Sequence, residues 1–358
     1  MKKNVRLIKS ICLAFMLMLA TVIPYTAVTA NSTGVVINTT TQDANPTDSL
    51  INGMDGEITQ SYDYSFVKTE KWKEMKLKER ITACQIPDDT INSMTTETLL
   101  NSVLDYPFMI DLLAYDTCRE GFLNVYANFP ALQKLLERND LGNALKSRTL
   151  KGTSSNDILR NIYCTILISQ PEIENKLSDS DANTLKEALE GDNITLYENA
   201  QREVVAPASA QSTLYTPNGT AVTVINNSGI TDWSSAQKSA LNQGVLDSYP
   251  SVYVISDPSK KYNCHSYAWY STSTSNYYWM DDPSAYMTDG SYSDTGLSLI
   301  VAGDKVHWDD GSHSGIISYV GQSGIGNIKA KSKWGQLGVY DHYFSDCPYT
   351  GSTTTYRR

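Results

Sequence analysis

The chain has 358 residues, of which 41% are apolar and 19% charged, and its formal net charge is −10. That length accommodates two ordinary domains, and the apolar fraction is sufficient for a core. The acidic balance argues against nucleic-acid binding, which needs a basic stripe facing phosphate, and no collagen-like, coiled-coil or repeat pattern is present.

Lys2, Lys3, Arg6 and Lys9 precede an apolar run from Ile11 to Ile23, and Val28-Thr29-Ala30 offers small residues before Asn31. This pattern predicts a secretory signal peptide over residues 1–30. A membrane anchor is the competing reading, but the run falls short of the ~20 residues a span needs. The mature protein is therefore expected to be secreted, without membrane attachment after cleavage. Losing four positive charges and no negative ones takes the net charge from −10 to −14. Cys84, Cys118, Cys164, Cys264 and Cys347 remain, an odd set that leaves at least one thiol unpaired or paired between molecules.

Residues 31–60, rich in Thr, Asn, Gly and Asp, read as a flexible leader. Over residues 61–202 apolar residues recur at three and four, as in Leu99, Leu100, Val103 and Leu104, or Ile158, Ile162 and Ile166. That period predicts an all-helical domain. Helix starts are expected at Thr95 or Thr96, at Ser155, and at Ser178 or Ser180, with Pro87, Pro107, Pro130 and Pro171 as punctuation. Asp179, Asp181, Asn183 and Glu190 have the spacing of calcium-loop ligands. Thr184 stands where such a loop needs glycine, so a capped amphipathic helix is expected there.

Residues 203–212 read as an Ala/Pro/Ser linker. Beyond it, Leu214-Tyr215-Thr216 and Val222-Thr223-Val224-Ile225 flank Pro217-Asn218-Gly219, a hairpin signal. Asp232 or Ser234 is expected to cap a helix through Ala236, Ala240 and Val245. From Tyr262 to Tyr349 the chain is strand-rich, with eleven tyrosines and four of the six tryptophans. Tyr270, Tyr277, Tyr278, Trp279 and Tyr286 are expected mainly to pack a small sheet, with a sugar-stacking groove as the alternative.

All four histidines lie in the last third, which is where acid–base chemistry near neutral pH is expected. Cys264 opens a run suited to a helix, and a thiol at a helix start is favoured as thiolate, the nucleophilic form. Gly303-Asp304-Lys305-Val306-His307-Trp308 reads as a strand, Asp309 to Ser312 as a turn, and His313 to Val320 as the second strand. His313 thus sits at the mouth of a hairpin, where a general base could reach the thiol. His307 reads as a packed or surface residue.

A cysteine at a helix start, then Gly-Asp-x-Val, a turn and His-x-Gly-Ile resembles the papain-like superfamily, in particular the NlpC-like and CHAP-like bacterial cell-wall amidases and endopeptidases. Lys331-Ser332-Lys333-Trp334-Gly335 is similar to the Asn-Ser-Trp-Gly run of papain-like enzymes. The Asn-Cys-His-Ser-Tyr-Ala-Trp block of residues 263–269 also resembles one in secreted proteins of Gram-positive bacteria. The resemblance covers about residues 213–350, leaving 351–358 as a tail. It implies Cys264 as nucleophile, His313 as base and Ser332 in the third position, where the family carries Asn. Asn327 or Asp341 are the alternatives for that role. The backbone N–H of Cys264, with Tyr262 or Ser259, would meet the oxyanion, and Trp269 and Trp334 would lie near substrate.

The implied fold is α+β, an all-helical domain followed by a papain-like domain with its cysteine helix on a small antiparallel sheet. No His-Glu-x-x-His or Cys-x-x-Cys is present, and no cofactor or metal is expected. Gly311-Ser312-His313-Ser314-Gly315 carries histidine where a serine hydrolase needs serine. The expected activity is hydrolysis of amide bonds through an acyl-enzyme, on cell-wall peptide or protein substrates. Acyl transfer by the same dyad and a non-catalytic secreted binding protein on a degenerate peptidase scaffold remain the alternatives.

Overall fold

The computed structural model describes residues 57–150, 157–189, 196–197, 200, 211–321 and 327–358. The expected signal segment, most of the leader and residues 203–210 of the linker lie outside them. Among the described residues no helix is long and apolar enough to cross a membrane.

The protein is a mixed helix-and-sheet structure, with an N-terminal helical region followed by antiparallel sheets. Helices cover Glu70–Glu74, Leu77–Ala83, Asp88–Ser93, Thr96–Leu104, Cys118–Asn128, Pro130–Glu137, Leu141–Leu150, Ile158–Ile168, Pro171–Glu174 and Asp179–Ala188, with a 3₁₀ segment over Pro107–Leu113. Local chemistry sets several starts. Thr95 accepts the N–H of Thr98 at 3.0 Å, and Ser178 accepts that of Asp181 at 3.1 Å. Pro130 and Pro171 open their helices, where no N–H is missed. Ser155 lies outside the described residues, and Asp157 precedes the Ile158 helix without a side-chain cap. Asp181 pairs with Lys146 at 2.7 Å, in keeping with a capped surface helix. The leader's final residues include Ile58, which is buried and bridges to Met94.

Strands β1 (Gln211–Tyr215) and β2 (Ala221–Asn226) form the expected hairpin, its turn closed by Gly219 at φ 89°, and β4 (Tyr278–Trp279) extends it to three strands. The remaining strands are β3 (Tyr253–Ser256), β5 (Ser293–Asp294), β6 (Lys305–Trp308), β7 (Ser314–Val320), β8 (Ile328–Lys333), β9 (Val339–Tyr343) and β10 (Thr353–Arg357). They make a seven-stranded sheet in the order β3-β9-β8-β7-β6-β10-β5, with every pair antiparallel. Helix Ser235–Ser248 follows Ser234, whose side chain caps it in a reciprocal bond with Gln237.

One core runs from the helical region into the sheet. Edge-on and tilted ring contacts pass from Trp72 to Phe108 (6.2 Å), to Tyr249 (5.5 Å) and to Trp334 (5.0 Å). Trp72 Nε1 donates to the Asp247 carbonyl at 2.7 Å, and Ser248 Oγ to that of Pro107 at 2.7 Å. All described residues accordingly fall within one compact unit, although the sequence places a linker between two domains. The five cysteines beyond residue 30 are all buried and free.

Asp111 is buried in this core, with the Tyr249 hydroxyl 2.9 Å from both carboxyl oxygens. Burial raises its pKa to about 7, against the opposing effect of that hydrogen bond. The unfolded chain releases the same proton near pH 4. The folded state therefore holds the extra proton between those values, and its stability falls as pH rises through the window. Urea midpoints at pH 5 and pH 8 are expected to show this loss. Asp111→Asn removes that part of the slope, so the variant's urea midpoint is expected to change less between pH 5 and pH 8 than that of wild type.

Candidate functional site

Cys264 begins a helical turn that widens into a π-turn over Ser266–Tyr270, and the turn packs against β7 and β8. The preceding residue holds its approach. Asn263 donates from Nδ2 to the Met280 carbonyl (2.8 Å), while its Oδ1 accepts the N–H groups of Ser266 and Met280 (both 3.1 Å). The backbone N–H groups of Ser314 and His265 donate to the Cys264 sulfur. Ser314 can do so because its neighbour supplies the ladder bond at this point, the His313 carbonyl accepting from Trp308 N–H at 3.0 Å.

The cysteine is closed off, being only 1% exposed. What covers it comes from the helical region. Asp116, in the turn between Pro107–Leu113 and Cys118–Asn128, accepts from the sulfur on Oδ1 (3.8 Å) and from Asn263 Nδ2 on Oδ2 (2.9 Å). Burial, and then the nearby Asp116 carboxylate, push the Cys264 thiol well above its ordinary range, while the Ser314 and His265 N–H groups pull it down. Burial likewise raises the Asp116 carboxyl, with Glu120 adding to the effect. In this conformation burial favours the neutral form of Cys264.

His265 is also buried. Its Nε2 lies 3.2 Å from the Gly311 carbonyl and 3.9 Å from Asp116 Oδ2, and its Nδ1 lies 2.8 Å from Ser314 Oγ. That hydroxyl also meets Trp269 Nε1 (2.9 Å) and His307 Nδ1 (3.0 Å). A carbonyl only accepts, so Nε2 of His265 carries the proton and its Nδ1 accepts the single Ser314 proton. His307 Nδ1 must then donate to Ser314. Burial lowers His265 to about 3, aided by the neighbouring His307.

His313 is fully buried, stacked on Tyr349 with ring centroids 3.5 Å apart and edge-on to Trp308 at 4.8 Å. Neither of its ring nitrogens has a hydrogen-bond partner. Burial, and then the other three histidines, hold it far below its usual pKa, so the ring is neutral. The backbone of the next residue, Ser314, meets the Cys264 sulfur, whereas the His313 ring contacts Tyr349 and Trp308 and shares no hydrogen bond with the thiol.

The residues expected in third position have other partners. Ser332 Oγ meets His342 Nε2 at 2.7 Å and accepts from Trp334 Nε1 at 3.1 Å. Asp341 accepts from Ser318 Oγ at 2.8 Å. Asn327 precedes Ile328, which pairs with Val320 at the opposite end of the β7–β8 ladder from His313. Ser259 Oγ accepts the Lys261 N–H at 3.2 Å, and Tyr262 lies 5.0 Å beneath the Lys333 ammonium. Both residues line a surface groove of about 670 Å³, with Asp232, Lys238 and Tyr277. Trp279 and Tyr286 pack inside, while Tyr270 and Tyr277 are exposed.

Sequence reasoning missed Asp116 and Lys333. Lys333 is wholly buried, its ammonium donating to the carbonyls of Ser259 (2.9 Å) and Gly335 (2.6 Å), and burial lowers it to about 7. The similarity of Lys331-Ser332-Lys333-Trp334-Gly335 to a known run was the signal available for Lys333. None existed for Asp116, an ordinary acidic residue in a helical region.

Gly335 locks the covering turn in place. Its φ is +42°, and a Cβ there would stand 2.2 Å from the Tyr115 carbonyl and 2.4 Å from that of Leu113. Gly335→Ala must therefore displace the turn that carries Asp116. Alkylation of Cys264 by iodoacetamide is expected to speed up at least about tenfold, as follows when local opening becomes easier by ~1.4 kcal/mol. Peptide mapping of the labelled cysteines checks this.

Compared with known proteins, the chain matches no family model, no curated protein and no solved structure.

Proposed function

We propose that this protein is a secreted cysteine hydrolase of papain-like type that cleaves amide bonds in cell-wall peptides. One observation carries the reading. His313, with both ring nitrogens buried and unpartnered, directly precedes the residue whose N–H reaches the Cys264 sulfur. An unpaired buried polar group costs about 1–3 kcal/mol, so each one calls for an explanation, and a catalytic role is one. His342 avoids that cost by pairing with Ser332.

In the reaction, His313 takes the thiol proton of Cys264 as the sulfur attacks the carbonyl carbon. His313 then returns the proton to the leaving amine as the C–N bond breaks. Water, deprotonated by the same imidazole, hydrolyses the thioester. The backbone N–H of Cys264 and a donor from the Ser259–Tyr262 segment meet the oxyanion. Reaching this arrangement requires the Asp116 turn to withdraw from the sulfur. The groove lined by Ser259 and Tyr262, which lie close to Cys264 in the chain, is the substrate path this reading requires. Secretion rests on the pattern of residues 1–30, and the wall-peptide substrate on the resemblance to NlpC-like and CHAP-like enzymes.

A second reading, a non-catalytic binding protein on a degenerate scaffold, is favoured by Ser332, which engages His342 and not His313. Digestion of purified cell walls by wild type and Cys264→Ala, with new amino groups measured, decides between them. Release by wild type and none by the variant is the expected result. No release by wild type across several wall types, or equal release by both, overturns the hydrolase.

A further inference from the structure

We propose that Asp116, Cys264 and His265 form a binding site for a thiophilic divalent cation of the zinc class, with the Gly311 carbonyl as a fourth donor. One ligand atom from each of the three side chains lies within 4.8 Å of the other two. Three atoms so spaced share a point at most about 2.8 Å from each, whereas zinc takes such ligands at ~2.0–2.3 Å. An inward shift of about half an ångström or more per side chain closes that gap. The Gly311 carbonyl, 3.2 Å from His265 Nε2, stands at the separation of two ligands on one tetrahedral ion. One thiolate, one imidazole and oxygen donors are a mixture that this borderline-soft ion accepts.

The surroundings suit a bound ion. Metal-binding histidines hand their other N–H to a fixed acceptor, and here Nδ1 of His265 faces Ser314 Oγ at 2.8 Å. Asn263 holds Asp116 Oδ2 at 2.9 Å. Binding moves the His265 proton from Nε2 to Nδ1, which then donates to Ser314. The Ser314 hydroxyl turns to His307 Nδ1, 3.0 Å away, and the His307 proton shifts to its Nε2. The three-membered network thus runs in either direction without losing a hydrogen bond. Cys264 releases its thiol proton to solvent, and Asp116 its proton where it holds one.

The ion would cap the sulfur, so its binding is measured directly and not through hydrolysis. The full chain, kept reduced, is titrated with Co²⁺ as a coloured substitute and then with Zn²⁺ as competitor. The expected result is one equivalent of cobalt, a near-ultraviolet thiolate-to-cobalt band, and its displacement by zinc. Cys264→Ser is expected to abolish the band, and Asp116→Asn and His265→Gln to weaken binding by about 100-fold or more, beyond the range of outer-shell changes. His342→Gln, which alters only the Ser332 side of the sheet, is expected to change nothing. Ser314→Ala keeps all three ligands and is expected to weaken binding about tenfold, so it carries the test if Asp116→Asn does not fold. A band that survives Cys264→Ser, binding indifferent to Asp116 and His265, or no stoichiometric binding overturns the proposal.

Discussion

His313→Phe is expected to abolish amide hydrolysis while leaving the protein at least as stable as wild type. Phenylalanine keeps the flat ring that stacks 3.5 Å from Tyr349 and meets the edge of Trp308. It also removes two buried nitrogens that have no partners. Relieving an unpaired buried polar group is worth about 1–3 kcal/mol, so the urea midpoint should hold or rise. On the proposed mechanism His313 is the general base, and its loss should lower the rate by about 10³-fold. A histidine kept for packing predicts a different result, an unchanged rate in the wall-digestion assay. A drop in stability of several kcal/mol would show instead that the ring nitrogens serve the fold. The same substitution thus separates a functional imidazole from a structural one, which removal of Cys264 alone does not do.

Arg80→Ala is expected to destabilise the whole protein by about 3–5 kcal/mol, the range for breaking one side of a buried ion pair. Arg80 is 1% exposed, paired with Asp346 and donating to the Ser248 carbonyl at 2.7 Å. Asp346 accepts from Ser251 as well, so the pair joins helix Leu77–Ala83 to the segment before β3 and to the end of β9. A loss of that size is a large part of the 5–15 kcal/mol that holds a typical domain folded. Because the ring chain from Trp72 to Trp334 crosses the same boundary, unfolding followed at helix and at aromatic wavelengths should remain a single coincident transition. Arg80→Met with Asp346→Asn should recover part of the loss, since the charge left unpaired in the single variant is then absent. Two separate transitions in wild type would contradict the shared core.

Much of the local structure was legible in the residues. Thr95, Ser178 and Ser234 cap as their types predict, Pro130 and Pro171 open helices, and Gly219 closes the first hairpin. The hairpin of β6 and β7 was readable from Gly303 to Val320, including the placing of His313 at its mouth. These features depend on backbone hydrogen bonds and dihedral preferences within a few residues, which short-range pattern captures. The aromatic residues of the last third divided between packed and exposed positions. Alternation marks the core face of a strand but not which aromatic a neighbouring loop will cover.

The division into two domains was read from a composition shift near residue 203, and composition carries no information about which buried surfaces meet. Trp72, Arg80, Phe108 and Asp111 find their partners in Asp247, Ser248, Tyr249 and Asp346, more than 130 residues away. The site shows the same limit more sharply. Sequence alone singled out Cys264 and His313, because a thiol before a helical run and a histidine at a hairpin mouth are local signatures. Only the folded chain laid Asp116 on that sulfur, gave Ser332 to His342, buried Lys333 against the carbonyls of Ser259 and Gly335 and left His313 without a hydrogen bond. Each of those outcomes is a contact between distant segments, settled by burial and by competition among hydrogen-bond partners that no local pattern encodes.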